Sequence, residues 1–428
     1  MIRFFYNVGV YAVTPLVVLY MLWRSVAQPA YLRRWRERYG FPQITPTPGG
    51  IWLHAVSVGE FQAAIPLVKA LQEKYPQRCI TITTMTPTGS ERVVDVFGDS
   101  VHHCYLPYDY PYAVKRFLRR VKPDLALIVE TEIWPNLFHQ TEACGAPIIM
   151  ASARLSPNSV SGYLRIPGPS LVKQTLQKVA LIGAQGPTDV KRFRVLGAPA
   201  EKVEAIGNIK FDVAFDPELL NQGAALRMGW GERRPVFVAG STHDGEEEAV
   251  LSAFDTLRER HPHMLLVLVP RHPQRFLTVA AALQKRNYRF VTRSSGEPCT
   301  AGTQIFLIDT LGELTLFYAA ADVAFVGGSL VDVGGHNLLE PAMLGVPVLA
   351  GPQLANCEDI AQLMLERDAL TIVQGSHDLA SNVATLFDDA TLRAEAGDRG
   401  RQMVAENRGA VSRLLSRIEQ ALSHKLEG

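Results

Sequence analysis

The chain has 428 residues, of which 47% are apolar and 20% charged, and a formal net charge of +1. That length exceeds one ordinary core and points to two domains, and the composition is globular rather than disordered. The near-neutral balance removes a global field for nucleic acid, and the five scattered cysteines (Cys79, Cys104, Cys144, Cys299, Cys357) suit neither a disulfide framework nor a zinc site.

The first element is the uncharged run Phe4 to Trp23, "FFYNVGVYAVTPLVVLYMLW". As a helix it matches the roughly 30 Å hydrocarbon core of a bilayer. Arg3 and Arg24 bracket it, and aromatic residues gather near its ends, as interface anchors do. A cleaved signal peptide is disfavoured by the long run and the lack of a small-residue cleavage site. A helix of a soluble core is disfavoured by length. A single membrane anchor over residues 1–24 fits best. Behind it come Arg24, Arg33, Arg34, Arg36 and Arg38, which keep the rest of the chain cytoplasmic by the positive-inside rule. The same arginines suit anionic lipid headgroups.

"GGIWL" then reads as a buried strand, "HAVSVGE" as a loop of small residues, and "FQAAIPLVKALQEKY" as a helix. Glu60 closes that loop. Acidic residues are favoured in a first helical turn for electrostatic reasons alone. Loops at the carboxyl ends of strands in open α/β sheets are also where ligands bind. Position does not choose between the two.

The strand–loop–helix pattern continues through "CITITTMTPTGSERV", "LALIVETEIWPN", "APIIMASARLS", "VALIGAQGPTDVKRF" and "VEAIGNIKFD". A second series starts near Arg234 with "PVFVAGSTHDGEEEAV", "MLLVLVPRHPQRF", "TQIFLIDTLGELTLFYAAADVAFVGGS" and "VPVLAGP". "GNIKFDVAFDPELL" lacks a strong period and reads as the linker. The expectation is an α/β chain of two Rossmann-like domains facing a cleft, 25–211 and 212–428.

Three strand-end loops of the second domain carry candidate ligand groups. Gly240, Ser241 and Thr242 allow backbone N–H groups close to a phosphate, though a plain helix cap explains them as well. Arg271 follows an apolar strand and suits an anion or a structural ion pair. In "FVGGSLVDVGGHNLLEPAMLGVPVLAGP" a helix opens near Asn337, and Glu340 lies about one turn along, within reach of ribose hydroxyls. Neither GxGxxG after the first strand nor a P-loop lysine is present, so one nucleotide is favoured over a dinucleotide. His54, His243, His272 and His336 fall in these loops without metal-ligand spacing, and no DxD stands at a strand end.

Taken in order, "YLRRWRERYGF", "HAVSVGE", "TTMTPTGSERV", "YLPYD", "ETEIWPN", "ARLS", "GNIKFD", "VPRHPQRF", "TRSSGE", "GEL" and "FVGGSLVDVGGHNLLEP" span nearly the whole chain. With them the sequence resembles the 3-deoxy-D-manno-oct-2-ulosonic acid (Kdo) transferases of Gram-negative bacteria. The resemblance implies a GT-B type glycosyltransferase with an N-terminal transmembrane helix. It implies inverting transfer of Kdo from CMP-Kdo to the lipid A precursor (lipid IVA) on the cytoplasmic side of the inner membrane, and one transfer or two in succession would use the same base and donor site. Glu60 then matches the general base of the family's "SVGE" motif. Pro270 and Arg271, then Gly312, Glu313 and Leu314, then Asn337, Leu338, Leu339 and Glu340 match its CMP-contacting stretches. Neither metal nor cofactor is implied. The rivals are transfer or epimerisation of a UDP-sugar on the same architecture, and a membrane-anchored nucleotide-binding scaffold without turnover.

Overall fold

The computed structural model describes residues 2–165, 169–212 and 216–427. Met1 of the expected anchor, and Val213, Ala214 and Phe215 of the expected linker, lie outside the described residues. The chain divides into two units, Met1–Asp212 with Arg408–Gly428, and Val213–Asn407.

Unit 1 is built on strands β1 (Ile51–His54), β2 (Ile80–Thr84), β3 (His102–Tyr105), β4 (Leu125–Val129), β5 (Ile148–Ala153), β6 (Leu181–Ala184) and β7 (Val203–Ala205). They pair in parallel in the order β3-β2-β1-β4-β5-β6-β7. Both faces are covered, so β1, β2, β4 and β5 read as continuous buried runs rather than alternating ones. Neighbouring residues of β1 enter different cores. Leu53 packs with Phe61, Val68 and Leu71 on one face, and Trp52 with Phe117, Phe138 and Phe193 on the other. Strand order reverses between β1 and β4, the point where such sheets open a crevice.

Unit 2 repeats the plan with β8 (Val236–Thr242), β9 (Leu265–Pro270), β10 (Phe290–Thr292), β11 (Ile305–Leu307), β12 (Val323–Val326), β13 (Val348–Ala350) and β14 (Leu370–Ile372). The parallel order is β10-β11-β9-β8-β12-β13-β14, with its reversal between β8 and β12. Phe237, Phe254, Leu266, Leu268 and Phe325 fill one of its cores.

Two sequence expectations need correction. Residues 212–428 do not all belong to the second unit, because the chain returns at Arg408. The helix Ala410–Glu427 places Ala410, Leu414, Ile418 and Leu422 in the core of unit 1. Asp212 holds that return, its carboxylate accepting from the Gly409 and Val411 N–H groups at 2.6 Å each.

The expected anchor is the N-terminal helix α1 (Ile2–Ala27), which is long and apolar enough to cross a membrane. It also hydrogen-bonds to the rest of unit 1. The Tyr6 hydroxyl donates to Asp109 at 2.8 Å, Asn136 Nδ2 donates to Asn7 Oδ1 at 2.8 Å, and the Thr14 and Tyr110 hydroxyls lie 2.8 Å apart. Of the arginines behind α1, Arg38 is buried, with Nη2 donating to the Met85 carbonyl and its guanidinium over the Tyr105 ring. Arg34 is engaged with Glu37 and the His103 carbonyl. The second correction is to Arg34 and Arg38, expected at lipid headgroups: unit 1 engages both, although Arg34, like Arg24, Arg33 and Arg36, is exposed.

Candidate functional site

In unit 1 the loop after β1 opens helix α2 (Val58–Lys74) at the sheet's reversal point. Ser57 is the N-cap, its Oγ accepting from the Glu60 N–H at 3.3 Å. The Glu60 side chain turns back, and Oε2 accepts from the Val56 N–H at 2.6 Å. This resembles a capping box displaced by one residue, so the ordinary helix-start role is real. It uses only one carboxylate oxygen, and Oε1 has no hydrogen-bond partner among the described residues. Burial raises the Glu60 carboxyl to about 8; the Val56 N–H opposes this, while Glu130 and Glu132 add to it and Lys210 offsets it.

The charged neighbours of Glu60 are Glu130 and Glu132, after β4, and Lys210, after β7. Glu130 has a left-handed backbone (φ 56°) and pairs with Lys210 Nζ at 3.2 Å. Glu132 accepts from Trp134 Nε1 at 2.6 Å, and burial raises its carboxyl. Asn208 Nδ2 donates to Gln185 Oε1 at 3.2 Å, and Gln185 Nε2 donates to the Ser152 carbonyl. The sequence shows the "ETEIWPN" acids and "GNIKFD", but not that they gather beside Glu60. His54 departs from its expected loop position. It is the last residue of β1, fully buried, with Nδ1 2.9 Å from Thr83 Oγ1, and burial lowers it to about 4. It is a neutral core histidine.

In unit 2 the loops after β8, β9 and β12 meet at the carboxyl edge of three adjacent strands. Glu246, completely buried, joins two of them. Its carboxylate accepts from the N–H groups of His243, Gly328, Ser329 and Leu330 at 2.6–3.0 Å. "HDGEEE" looks like ordinary helix-start acidity, so nothing in the sequence sets Glu246 apart from its neighbours. Above this clamp His243 Nε2 lies 2.7 Å from His336 Nε2 with the rings stacked, and His272 stands edge-on to His243. Gly328 has φ 70°, and a Cβ there would lie 2.8 Å from the His336 ring. Glycine is thus required twice over at that position.

The expected donor residues gather here in part. Pro270 ends β9, and the Arg271 N–H donates to the Thr242 carbonyl at 2.9 Å. The Arg271 side chain is exposed and has no ion pair among the described residues. Leu314 begins a short helix beside Gly240, and Glu340 accepts from Asn337 Nδ2 at 2.9 Å with Thr315 Oγ1 at 3.5 Å. Burial raises the Glu340 carboxyl, and Asn337, Thr315 and Arg271 oppose that. Gly312 has φ 87° and turns the chain into Glu313, whose carboxylate is taken by Arg293 and Thr310. The Arg293 hydrogen bond holds Glu313 below the usual carboxylate range. Leu338 and Leu339 are core side chains, so only their backbone is available to a ligand. The helix expected to open near Asn337 is the five-residue Leu339–Met343, which contains Pro341 and ends before Gly345 (φ 74°). One turn offers little dipole, so polar side chains carry this corner.

Burial lowers His336 to about 4, with His243, Arg271 and His272 adding repulsion, and burial also lowers His243. The pair is therefore neutral near pH 7, one Nε2–H donating to the other Nε2. Residues 33–213 match the family model described as 3-deoxy-D-manno-octulosonic-acid transferase (kdotransferase). A 3-deoxy-D-manno-octulosonic acid transferase of Haemophilus influenzae is 42% identical over 99% of this chain and 100% of its own length. One from Bordetella pertussis is 35% identical over 97% and 99%. Among solved structures, the UDP-GlcNAc 2-epimerase from Neisseria meningitidis bound to UDP-GlcNAc aligns with a TM-score of 0.56 at 14% identity, over 87% of this chain and 100% of that one. At that identity the likeness is one of fold, two doubly wound units in tandem of the GT-B type. With both curated relatives matched almost end to end, the chain belongs to the 3-deoxy-D-manno-octulosonic acid (Kdo) transferase family and is a glycosyltransferase.

Proposed function

We propose that the enzyme transfers Kdo from CMP-Kdo to the lipid A precursor lipid IVA, twice in succession and with inversion at each anomeric carbon. An acceptor hydroxyl attacks that carbon as its proton passes to Glu60. The C–O bond to CMP breaks, and the bonding pair leaves with the phosphate. The observation that carries this reading is the divided carboxylate of Glu60. One oxygen is pinned by the Val56 N–H, which fixes the group, and the other is unengaged. A carboxyl near 8 is also matched to proton transfer close to neutral pH.

In unit 2 the exposed Arg271 guanidinium, the His243–His336 pair and Asn337 are donors for the CMP phosphate and the Kdo carboxylate. Pro270, Gly312, Glu313, Leu314, Leu338, Leu339 and Glu340 form the rest of the CMP site. A donor with a single phosphate calls for no pyrophosphate-bound metal, and the reaction proceeds without metal or cofactor. The enzyme works at the cytoplasmic face of the inner membrane, held there by α1.

Mass spectrometry of the product from purified protein, CMP-Kdo and lipid IVA tests this reading. The expected product carries two added Kdo residues. CMP is expected to compete with the donor and UDP is not; competition by UDP alone would return the UDP-sugar alternative. Arg271→Ala is expected to weaken CMP binding about tenfold or more, and unchanged affinity would remove Arg271 from the site.

A further inference from the structure

Helix α1 faces unit 1 along one line. Asn7, Val10, Thr14, Val17 and Met21 recur every three or four residues and are its shielded positions. On the opposite line Phe5, Leu19 and Trp23 are 66%, 61% and 68% exposed. The shielded line carries the hydrogen bonds to Asp109, Tyr110 and Asn136, and the Tyr108 hydroxyl reaches Met21 Sδ at 3.1 Å. Body and helix therefore run together from Tyr6 to Met21, about 22 Å along the axis.

This arrangement is incompatible with a helix that stands across a bilayer. Thr14 lies near the middle of α1, so a transverse α1 would carry Tyr110 and Asp109 to the centre of the hydrocarbon. Asp109 and Tyr110 are themselves buried, but the helix Pro111–Val121 that follows them exposes Lys115 and Arg116 within two turns, and charged side chains facing lipid at that depth are costly.

The surroundings of the exposed line indicate what covers it. In the segment that follows α1, Leu32, Trp35 and Phe41 are also exposed, and so are Arg24, Arg33 and Arg36 at the end of α1 and behind it. The only acid between Ile2 and Phe41 is Glu37, which is buried against Arg34. Apolar and aromatic groups edged by unopposed cations match the headgroup–acyl boundary of an anionic bilayer. We propose that α1 lies in the plane of the membrane, inserted into one leaflet, with the Phe5–Trp23 line toward the acyl chains. Unit 1 then rests at headgroup level, where a lipid-borne acceptor presents its polar end.

The inference rests on the membrane siting given under Proposed function, and one experiment separates the two. Full-length protein with Cys79 and Cys144 replaced by serine is spin-labelled singly at Phe5→Cys, Ala12→Cys or Leu19→Cys. Each is bound to phosphatidylethanolamine–phosphatidylglycerol vesicles, and label depth is read from oxygen and nickel accessibility. An in-plane helix gives one shallow depth for all three labels. A crossing helix places Ala12 about 10 Å deeper than Phe5, which would overturn the in-plane arrangement while leaving membrane binding intact. Failure to bind the vesicles at all would overturn the siting itself. Strong spin–spin coupling between chains would show that a second copy covers this face, and would equally overturn the proposal.

Discussion

His243 and His336 meet nitrogen to nitrogen at 2.7 Å, one from the loop after β8 and the other from the loop after β12. Both are pushed toward the neutral form by burial, with Arg271 and His272 opposing any positive charge. The carboxylates near the pair are Glu246, clamped by four N–H groups, and Asp244, paired with Arg275. An arriving phosphate supplies the missing negative charge and raises the pair's proton affinity. CMP binding is therefore expected to take up a proton between about pH 5 and 7, and CMP affinity to fall as pH rises through that window. Calorimetry in buffers of different ionisation enthalpy measures the uptake. His336→Gln should abolish it, and zero uptake by the unaltered enzyme would show that the pair stays neutral on binding.

Glu246 is the clamp beneath that pair. Glu246→Ala leaves four backbone donors without their acceptor and is expected to destabilise unit 2 by about 2–4 kcal/mol. Glu246→Gln keeps one oxygen acceptor and should lose less. Urea unfolding of both variants checks the order. A loss under about 0.5 kcal/mol for the alanine variant would mean that the two loops hold their geometry without it.

Much of this layout was legible in the sequence, and the failures share a physical cause. Strands buried on both faces, such as "ALIV" of β4 and "LLVLV" of β9, announce themselves as unbroken apolar runs. The edge strands β3, β10 and β14 do not. His102 and His103 open β3 half-buried, β10 is only partly buried throughout, and Thr371 of β14 is exposed. The site followed the same division. Glu60 and Arg271 stand at strand ends that pattern reveals. Glu246, Lys210 and Gln185 matter through partners that lie far along the chain or through burial, which local periodicity does not encode. Asp212 shows the same limit, since its helix-capping of residues 409–411 spans almost two hundred positions.

Removing residues 1–27 has a consequence that a free anchor would not. It takes away the Tyr6 and Asn7 partners of Asp109 and Asn136, side chains that unit 1 otherwise buries. Unit 1 is expected to lose about 1–3 kcal/mol of stability, and activity should fall even on detergent-dispersed acceptor. CMP binding, which the proposal above assigns to unit 2, should persist. Full activity on dispersed acceptor with an unchanged melting profile would show that the seam contributes nothing.

Chelation provides a separate check on the donor chemistry. With a single phosphate in the proposed leaving group and arginine, histidine and asparagine as its proposed donors, EDTA is expected to leave the rate unchanged. Loss of activity that a divalent ion restores would establish a metal requirement.

The most direct measurement of the central claim is the pH dependence of turnover at saturating CMP-Kdo and acceptor, for the unaltered enzyme and for Glu60→Gln. Burial lifts the Glu60 carboxyl to about 8, so the base form grows as pH rises toward that value. The unaltered enzyme should show a rate that climbs with an apparent pKa close to 8 and then levels. Glu60→Gln should bind CMP normally, turn over about 10²–10⁴-fold more slowly, and lose that limb of the profile. A glutamine variant with near-normal turnover and the same pH profile would contradict the assignment of Glu60 as the base.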